Sequence, residues 1–170
     1  MATESLLING VNVQEVRNFR DAAQAEPSRA DRDPVVTAEW QGGDRSVVRS
    51  GDASIEVNAP GTLGPMKLLL ASLVACEIDV VAMHAALIGV KIEHLAVQAT
   101  GHFNVRSYLG LGGTPGSGYD RIDYTVRLRA AGVSDEQIAV LREALERSSP
   151  VGDSLSRAVT MRANIEMELA

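Results

Sequence analysis

The stretch SLVACEIDVVAMHA, residues 72–85, holds several side chains whose types could do chemistry. Cys76 is the only cysteine of the chain. As a thiolate it would be a nucleophile, whereas a thiol among Leu, Val and Ala packs as a small hydrophobic side chain. His84 lies eight residues further on, rotated by about 80° on a helix. A Cys–His hydrolase dyad within one chain is therefore disfavoured.

Two acids accompany Cys76 in this stretch. Asp79 follows it by three residues and shares its helical face, and Glu77 is its direct neighbour. A buried carboxylate needs a partner, so we expect both acids to meet an arginine or a second subunit. The candidate arginines, which the sequence does not rank, are Arg106, Arg121 and Arg127. Structural ion pairing is the favoured interpretation, since an acid beside Cys76 disfavours the thiolate.

Composition excludes several classes of function. The net charge of −6 without a Lys/Arg cluster argues against nucleic acid as a partner. No secretion signal is visible at the N-terminus and a lone cysteine forms no intramolecular disulfide, so we expect a cytoplasmic protein. The run Leu68–Val90 could span a bilayer by length, but its three ionisable residues are costly there. We therefore predict a buried central helix and no membrane contact.

Neither a metal nor another cofactor is expected. His94 and His102 lie an even number of residues apart on a predicted strand, without a third ligand at suitable spacing. The segment GLGGTPGSG, residues 110–118, lacks the lysine followed by Ser or Thr of a phosphate-binding loop and leads to a strand. We interpret it as a flexible connection that could cover a site.

Helices and strands must position these residues, and the sequence patterns predict most of them. A helix over residues 12–25, with Asn9 or Asn12 as N-cap, leads into a charged linker. Two strands flank the GGD turn, a third begins at Ala53, and a long helix runs from Pro65 to about Gly89.

The second half has two long strands, a helix and a closing strand. The capping box of Ser134 and Gln137 opens the helix, whose inward positions are predicted to be Ile138, Leu141 and Leu145. SSPVGDSLSRA restarts helically, and VTMRANIEMEL, residues 159–169, closes the chain as a strand. The order predicts an α+β fold with an antiparallel sheet wrapped around a long buried helix. We divide this single domain into an N-terminal helix and linker, residues 1–33, and a main part, residues 34–170.

Four segments carry a family resemblance: EWQGGDRSVV, APGTLGPMKLLLASLVACEIDVV, YDRIDYTVRLRA and LERSSPVGDSL. Together they resemble the OsmC/Ohr superfamily, from about Val35 to the C-terminus. The most specific feature is Pro65, which opens an apolar helix, followed eleven residues later by Cys76. The resemblance implies a two-layer α+β fold and an intertwined homodimer with active sites at its interface. It also implies a role in the oxidative stress response, as a thiol peroxidase that reduces organic hydroperoxides.

The peroxidase members use four groups, which we carry over one by one. The peroxidatic position matches Cys76, while the resolving cysteine of the C-P-V segment is replaced by Ser149 in SSPV. A hydroxyl cannot form a disulfide, so the two-cysteine cycle is chemically excluded. The family glutamate falls at Met66 or Lys67. Lys67 could supply charge, but it lies nine residues before Cys76, on roughly the opposite side of the helix.

The family arginine has two alignments, which place it at Arg45 in GGDRS or at Glu56, whose charge is of the wrong sign. Arg45 is thus the best candidate for stabilising the thiolate and peroxide. We predict a homodimeric one-cysteine peroxidase recycled by an external thiol, or else a non-catalytic dimer that binds a small hydrophobic ligand between its subunits. The predicted site comprises Cys76 and Arg45, with Glu77, Asp79 and Lys67 as neighbours and with Ser149 at the resolving position.

Overall fold

A computed structural model describes residues 7–113 and 116–167. Parts of three predicted segments lie outside the described residues, namely 1–6 of the N-terminal part, 114–115 of the glycine-rich connection and 168–169 of the closing strand. The architecture is α+β with antiparallel strands, as predicted. The described strands form three separate small sheets, and the longest helix lies between the second and the third of them in the sequence.

The N-terminal part opens with a short hairpin that sequence patterns did not predict. Strands β1 (Leu7–Ile8) and β2 (Val11–Asn12) pair antiparallel. Helix α1 follows over Val13–Ala25, and the side chain of Asn12 accepts a hydrogen bond from its first turn. The predicted helix is thus confirmed with Asn12 as the cap, because Asn9 has another role. The Asn9 amide donates to the Val90 carbonyl and accepts from Ile92 N, both at 2.9 Å.

The charged linker contains one 3-10 turn, Pro27–Ala30, and leads to a three-stranded sheet. Its strands are β3 (Thr37–Trp40), β4 (Ser46–Ser50) and β5 (Ala53–Val57). Both Gly42 and Gly43 have positive φ, which the tight turn needs and glycine adopts without strain. The predicted hairpin and third strand are confirmed. Trp40 is 76% exposed in this sheet, so its large apolar surface is uncovered within one chain.

Helix α2 (Pro65–Leu87) is the element around which the chain is organised. Proline at its first position and Gly89 with positive φ just beyond its end agree with the predicted bounds. The helix packs chiefly against the hairpin that follows it and against the two later helices. One chain covers the predicted central helix only in part, since Leu69 and Ile78 are 38% and 41% exposed. The surrounding elements of a single chain are too few to enclose it.

The long hairpin of β6 (His94–Phe103) and β7 (Tyr119–Arg129) confirms the two predicted strands. The Tyr119 ring lies over Gly101, where a Cβ would come within 2.4 Å of the ring. Its hydroxyl donates to the Met66 carbonyl at 2.8 Å. The hairpin therefore holds the first turn of α2.

Helix α3 (Asp135–Arg147) begins at the predicted capping box, in which Ser134 and Gln137 bond reciprocally. Leu141 is buried with Ala85 and Val90, and these residues form the hydrophobic core between α3 and the end of α2. The predicted inward position of Ile138 is wrong, because its side chain is 45% exposed. It lies near the start of the helix, where no described element of the same chain covers it.

Helix α4 (Pro150–Ser156) completes the regular structure. The predicted closing strand is wrong for the described residues: residues 157–167 contain neither helix nor strand. A strand needs a hydrogen-bonding neighbour, and these residues have no strand partner in the described part of the chain. Their apolar side chains are correspondingly uncovered, with Met161 at 90% and Ile165 at 85% exposure.

Candidate active site around Cys76

Cys76 and Ser149 are brought together by the packing of α4 against α2. Cys76 lies in the middle of α2 and is half-buried, whereas Ser149 is the N-cap of α4 and only 4% exposed. The Cys76 Sγ lies 3.5 Å from the Ser149 Oγ, within hydrogen-bonding distance for sulfur. The structure thus places Ser149, the residue predicted to stand at the resolving position, directly beside the thiol.

Glu77 is the second partner of Ser149. The Ser149 hydroxyl donates to Glu77 Oε1 at 2.6 Å and accepts from the backbone N–H of Gly152 at 3.0 Å. Glu77 is completely buried, and its Oε2 has no hydrogen-bond partner among the described residues. A buried polar atom without a partner is costly, so this carboxyl is an exceptional feature of the fold.

Of the two partners predicted for Glu77, an arginine or a second subunit, no arginine contacts it among the described residues. The three candidate arginines bind elsewhere: Arg121 to Asp123, Arg127 to Gln98 and Arg106 to the Gly112 carbonyl. β7 points the Arg121 and Arg127 side chains to its exposed side. The Ser149 hydroxyl takes the arginine's place at Glu77.

The other predicted site residues do not reach the thiol within one chain. Arg45 is exposed in the β3–β4 turn, where it donates to the Gln41 carbonyl at 3.2 Å and borders a small cavity that Glu56 also lines. Lys67 and Asp79 are exposed on α2. No hydrogen bond or ion pair joins any of them to Cys76 in the part of the chain described. The site of a single chain is therefore Cys76, Glu77 and Ser149.

A cavity of about 320 Å³ lies beside this group, between α2, β7 and α4. Its walls are largely apolar and include Leu69, Leu73 and Leu155, while Gly152 connects it to Ser149. Tyr124 also lines the cavity. Burial, followed by the negative charges of Glu77 and Glu146, raises the pKa of Tyr124 above its usual value. The phenol is therefore neutral at physiological pH and adds no charge to the cavity.

The histidines do not join the site. The His102 Nδ1 lies 2.9 Å from an Asp120 carboxylate oxygen on the exposed side of the hairpin. Burial, and secondarily the charge of Arg20, lowers the pKa of His84. Among the described residues no three His, Cys, Asp or Glu side chains form a group that could hold a metal ion.

The contact of Glu77 with Ser149 was not predicted from the sequence. One local signal did exist: Ser149 precedes a proline, and a serine followed by Pro is a common start of a helix. That signal places the hydroxyl at the N-cap of α4. It does not reveal that the cap faces a carboxyl 72 residues away along the chain.

These features define an α+β protein with a cysteine on its central helix, and comparisons place it in a family. Residues 58–164, more than half of the chain, match the family described as OsmC-like protein. The chain belongs to this family. A search of curated protein sequences found no match.

Solved structures agree with this assignment at the level of the fold. An OsmC-like protein from Mycoplasma pneumoniae superposes with a TM-score of 0.63 at 20% identity, over 74% of this chain and 89% of that one. An OsmC-like protein from Vibrio cholerae gives 0.60 at 12% identity, over 73% and 94%. An organic hydroperoxide resistance protein OsmC from Legionella pneumophila gives 0.51 at 15% identity, over 74% and 90%. Among the described residues one helix, α2, is long and apolar enough to cross a membrane, and its end packs in the hydrophobic core with α3.

Proposed function

We propose that the protein is a homodimeric one-cysteine thiol peroxidase, which reduces organic hydroperoxides and is recycled by an external thiol. The observation that carries this proposal is the contact of Cys76 with Ser149 at 3.5 Å. The thiol occupies the peroxidatic position of the family, it is not fully buried, and a polar group lies beside it. The similarity to an organic hydroperoxide resistance protein supports the substrate class.

The reaction balances with one external reductant. The Cys76 thiolate attacks the terminal oxygen of the hydroperoxide, the O–O bond breaks, and the alkoxide takes a proton and leaves as an alcohol. The resulting sulfenic acid condenses with one external thiol and releases water. A second external thiol attacks the mixed disulfide and restores the Cys76 thiol. The external thiols are oxidised to a disulfide, since Ser149 cannot supply the second sulfur.

The homodimer is supported by the surface that one chain leaves uncovered. The chain exposes 13132 Å², whereas a compact monomer of 18.1 kDa would expose about 8000 Å². The chain thus has about 5000 Å² more surface than such a monomer, and a second copy would cover part of it. Exposed apolar residues of α2, such as Leu69 and Ile78, and the C-terminal segment, residues 157–167, which forms no strand in the described structure, supply apolar surface for a second copy.

Dimerisation also offers a way to complete the site. Arg45 projects from a sheet that is not among the main neighbours of α2 in its own chain. A second copy would have to bring this arginine to Cys76, where its charge would favour the thiolate. Arg45 remains the predicted activating residue on this basis. The cavity beside Gly152 would receive the organic part of the hydroperoxide.

A specific observation favours the second candidate, a non-catalytic protein that binds a small hydrophobic ligand. The cavity of about 320 Å³ has more apolar than polar wall, with Asp120 and Arg121 among its lining residues, and Cys76 does not line it. The volume is at the lower end of small-molecule sites. In this case the cysteine would be a packing residue, and the cavity alone would be functional.

Reaction with an organic hydroperoxide separates the two functions. We expect reduced protein treated with cumene hydroperoxide to gain the mass of one oxygen atom at Cys76, and to turn over when dithiothreitol is supplied. The Cys76→Ser variant should lose this turnover while keeping the dimer. Unmodified Cys76 after exposure to excess hydroperoxide, with a fluorescent apolar probe still bound, would establish the binding function instead.

A further inference from the structure

We propose that Glu77 stores the proton of the Cys76 thiol, which it exchanges through the Ser149 hydroxyl. This inference rests on the proposed peroxidase function, and it assigns a role to a buried carboxyl that the reaction above leaves unused. The three groups form one chain of contacts: Sγ to Oγ at 3.5 Å and Oγ to Oε1 at 2.6 Å. Glu77 acts through Ser149 and does not itself reach the peroxide.

In the resting arrangement, the hydroxyl of Ser149 is fully used. A serine hydroxyl has one hydrogen to donate and two lone pairs to accept. Its hydrogen goes to Glu77 Oε1, and one lone pair accepts the Gly152 N–H. The remaining lone pair faces the Cys76 Sγ, so the thiol donates to it. The site then contains a thiol and a carboxylate.

The same three atoms accommodate the opposite arrangement without any change of position. The thiol proton moves to Ser149 while the Ser149 proton moves to Glu77. Glu77 then donates to the hydroxyl, the hydroxyl donates to the Cys76 thiolate, and the Gly152 N–H is still accepted. The Ser149 oxygen again has one donor and two acceptor roles. The site now contains a thiolate and a carboxylic acid.

Because the site is buried, forming the thiolate by this exchange costs less free energy than releasing the proton to solvent. Losing the thiol proton to solvent would place a second negative charge beside a carboxylate that is completely buried, which is costly. The internal exchange leaves the total charge unchanged. It also converts Glu77, whose Oε2 has no partner in the described structure, to a neutral acid, which tolerates burial better than an anion.

The surrounding ionisable groups do not replace Glu77 in this role. Tyr124 of β7 senses the charges of Glu77 and of Glu146 on α3, and its raised pKa keeps it neutral at pH 5–8. On α4, Asp153 is exposed and pairs with Arg157 at 2.6 Å. The histidines of β6, the strand packed against α2, are His94 and His102, and both are exposed. On α2 itself, Asp79 is exposed.

The stored proton also closes the peroxidase cycle. Attack by the thiolate on the hydroperoxide forms the S–O bond, breaks the O–O bond and leaves an alkoxide that needs a proton. Glu77 can return its proton through Ser149 to the reacting group, which yields the alcohol and regenerates the carboxylate. No proton has to be taken from solvent during this step.

The pH dependence of alkylation tests the inference without any peroxide. Two groups that share one proton give a thiolate fraction that is independent of pH between their two macroscopic titration steps. We therefore expect the rate of Cys76 alkylation by iodoacetamide to show a plateau when the pH is scanned from 5 to 9 with the wild-type protein. In Glu77→Gln the plateau should vanish, and the rate at the acidic end of that plateau should fall.

The direction of the Glu77→Gln effect is decisive. If Glu77 acted only as a nearby negative charge, its removal would accelerate alkylation, and this result would overturn the inference. A wild-type profile without a plateau would overturn it too. Ser149→Ala should also lose the plateau, and retention there would contradict a relay through the hydroxyl.

Asp79→Asn is the matched control, because it removes an exposed carboxylate of the same helix and should keep the plateau. Circular dichroism of each variant verifies folding. If Cys76 shows the plateau but is not oxidised by hydroperoxide, the proposed peroxidase function is wrong and the proton exchange with Glu77 is supported. If Cys76 is oxidised but shows no plateau, the peroxidase function is supported and the proton exchange is wrong.

Discussion

At the scale of single residues, the position of Ser149 determines which redox chemistry is open to the protein. Its hydroxyl lies 3.5 Å from the only thiol, and we predict that it stands where the peroxidase members of the family carry a second cysteine. In the proposed reaction, oxygen in place of sulfur leaves the thiol to an external reductant. The same oxygen connects the thiol to a buried acid, which a sulfur atom would do less well because it is a weak acceptor.

Ser149→Cys should restore an internal disulfide. The two sulfur atoms would start at about the distance now separating Sγ from Oγ, 3.5 Å, and small rotations of both side chains can bring them to bonding distance. After treatment with one equivalent of hydroperoxide, we expect both thiols to disappear in a thiol-labelling assay. Ser148→Cys is the control: Ser148 is exposed at the end of α3, and its thiol should stay free. Two free thiols in oxidised Ser149→Cys would contradict the placement of α4.

His84 should make stability depend on pH in the mildly acidic range. Burial, with a smaller contribution from Arg20, lowers the pKa of His84 in the folded chain. The unfolded chain therefore takes up the proton first as the pH falls through about 6.5. The free energy of unfolding should decrease on acidification, by at most about 1.4 kcal/mol per pH unit for one proton.

Urea unfolding of wild type and His84→Gln at pH 7.5 and 5.5 measures this contribution. The difference between the two proteins isolates His84 from the carboxylates, which titrate in both. The variant should lose less stability on acidification than the wild type. Equal losses would show that His84 carries no proton linkage to folding.

At the scale of elements, the two apolar residues of α3 have different surroundings. Leu141 is 5% exposed in the core with Ala85 and Val90, whereas Ile138 is 45% exposed. Leu141→Ala should reduce the free energy of unfolding by about 2–4 kcal/mol, since it removes buried methyl groups and leaves a cavity. Ile138→Ala should cost less than about 1 kcal/mol. Similar losses measured by urea denaturation would mean that a second subunit covers Ile138.

Most elements could be predicted because their signals are local. Asn12, Pro65 and the Ser134–Gln137 capping box each mark a helix start that the structure confirms. Ile138 was wrongly predicted to be buried. The spacing of apolar residues in α3 predicts which face of the helix they share, but it does not show which element covers that face. The final strand failed for a similar reason: its alternating pattern is strand-like, but a strand forms only beside a partner.

Only the part of the site that the family resemblance implies could be predicted from the sequence. The pairing of Cys76 with Ser149 followed from the resolving position, and the structure places the two in contact. The hydrogen bond from Ser149 to Glu77 joins residues 72 positions apart, and no local pattern encodes such a contact. The expected arginine partner was chosen by charge alone, whereas a hydroxyl at hydrogen-bonding distance occupies that place.

At the scale of the whole molecule, the exposed apolar residues of α2 should hold two copies together. We expect sedimentation velocity to show a dimer at micromolar concentration. Ile78→Lys places a charge at an exposed apolar position of α2 and should shift the protein towards monomer, because a desolvated charge without a partner costs several kcal/mol. Glu15→Gln, which alters an exposed residue of α1, should leave the dimer intact. A stable wild-type monomer would contradict the proposed assembly.

The side chain of Asn9 has a consequence for how the N-terminus can be handled. Its amide forms hydrogen bonds with both the Val90 carbonyl and the Ile92 N–H, as the backbone of a neighbouring strand would. These two bonds stabilise the connection between α2 and the β6–β7 hairpin. Trimming the chain at Val11 would leave that connection open to water and loosen the end of the helix. Expression tags therefore belong ahead of Leu7, with the first hairpin kept whole.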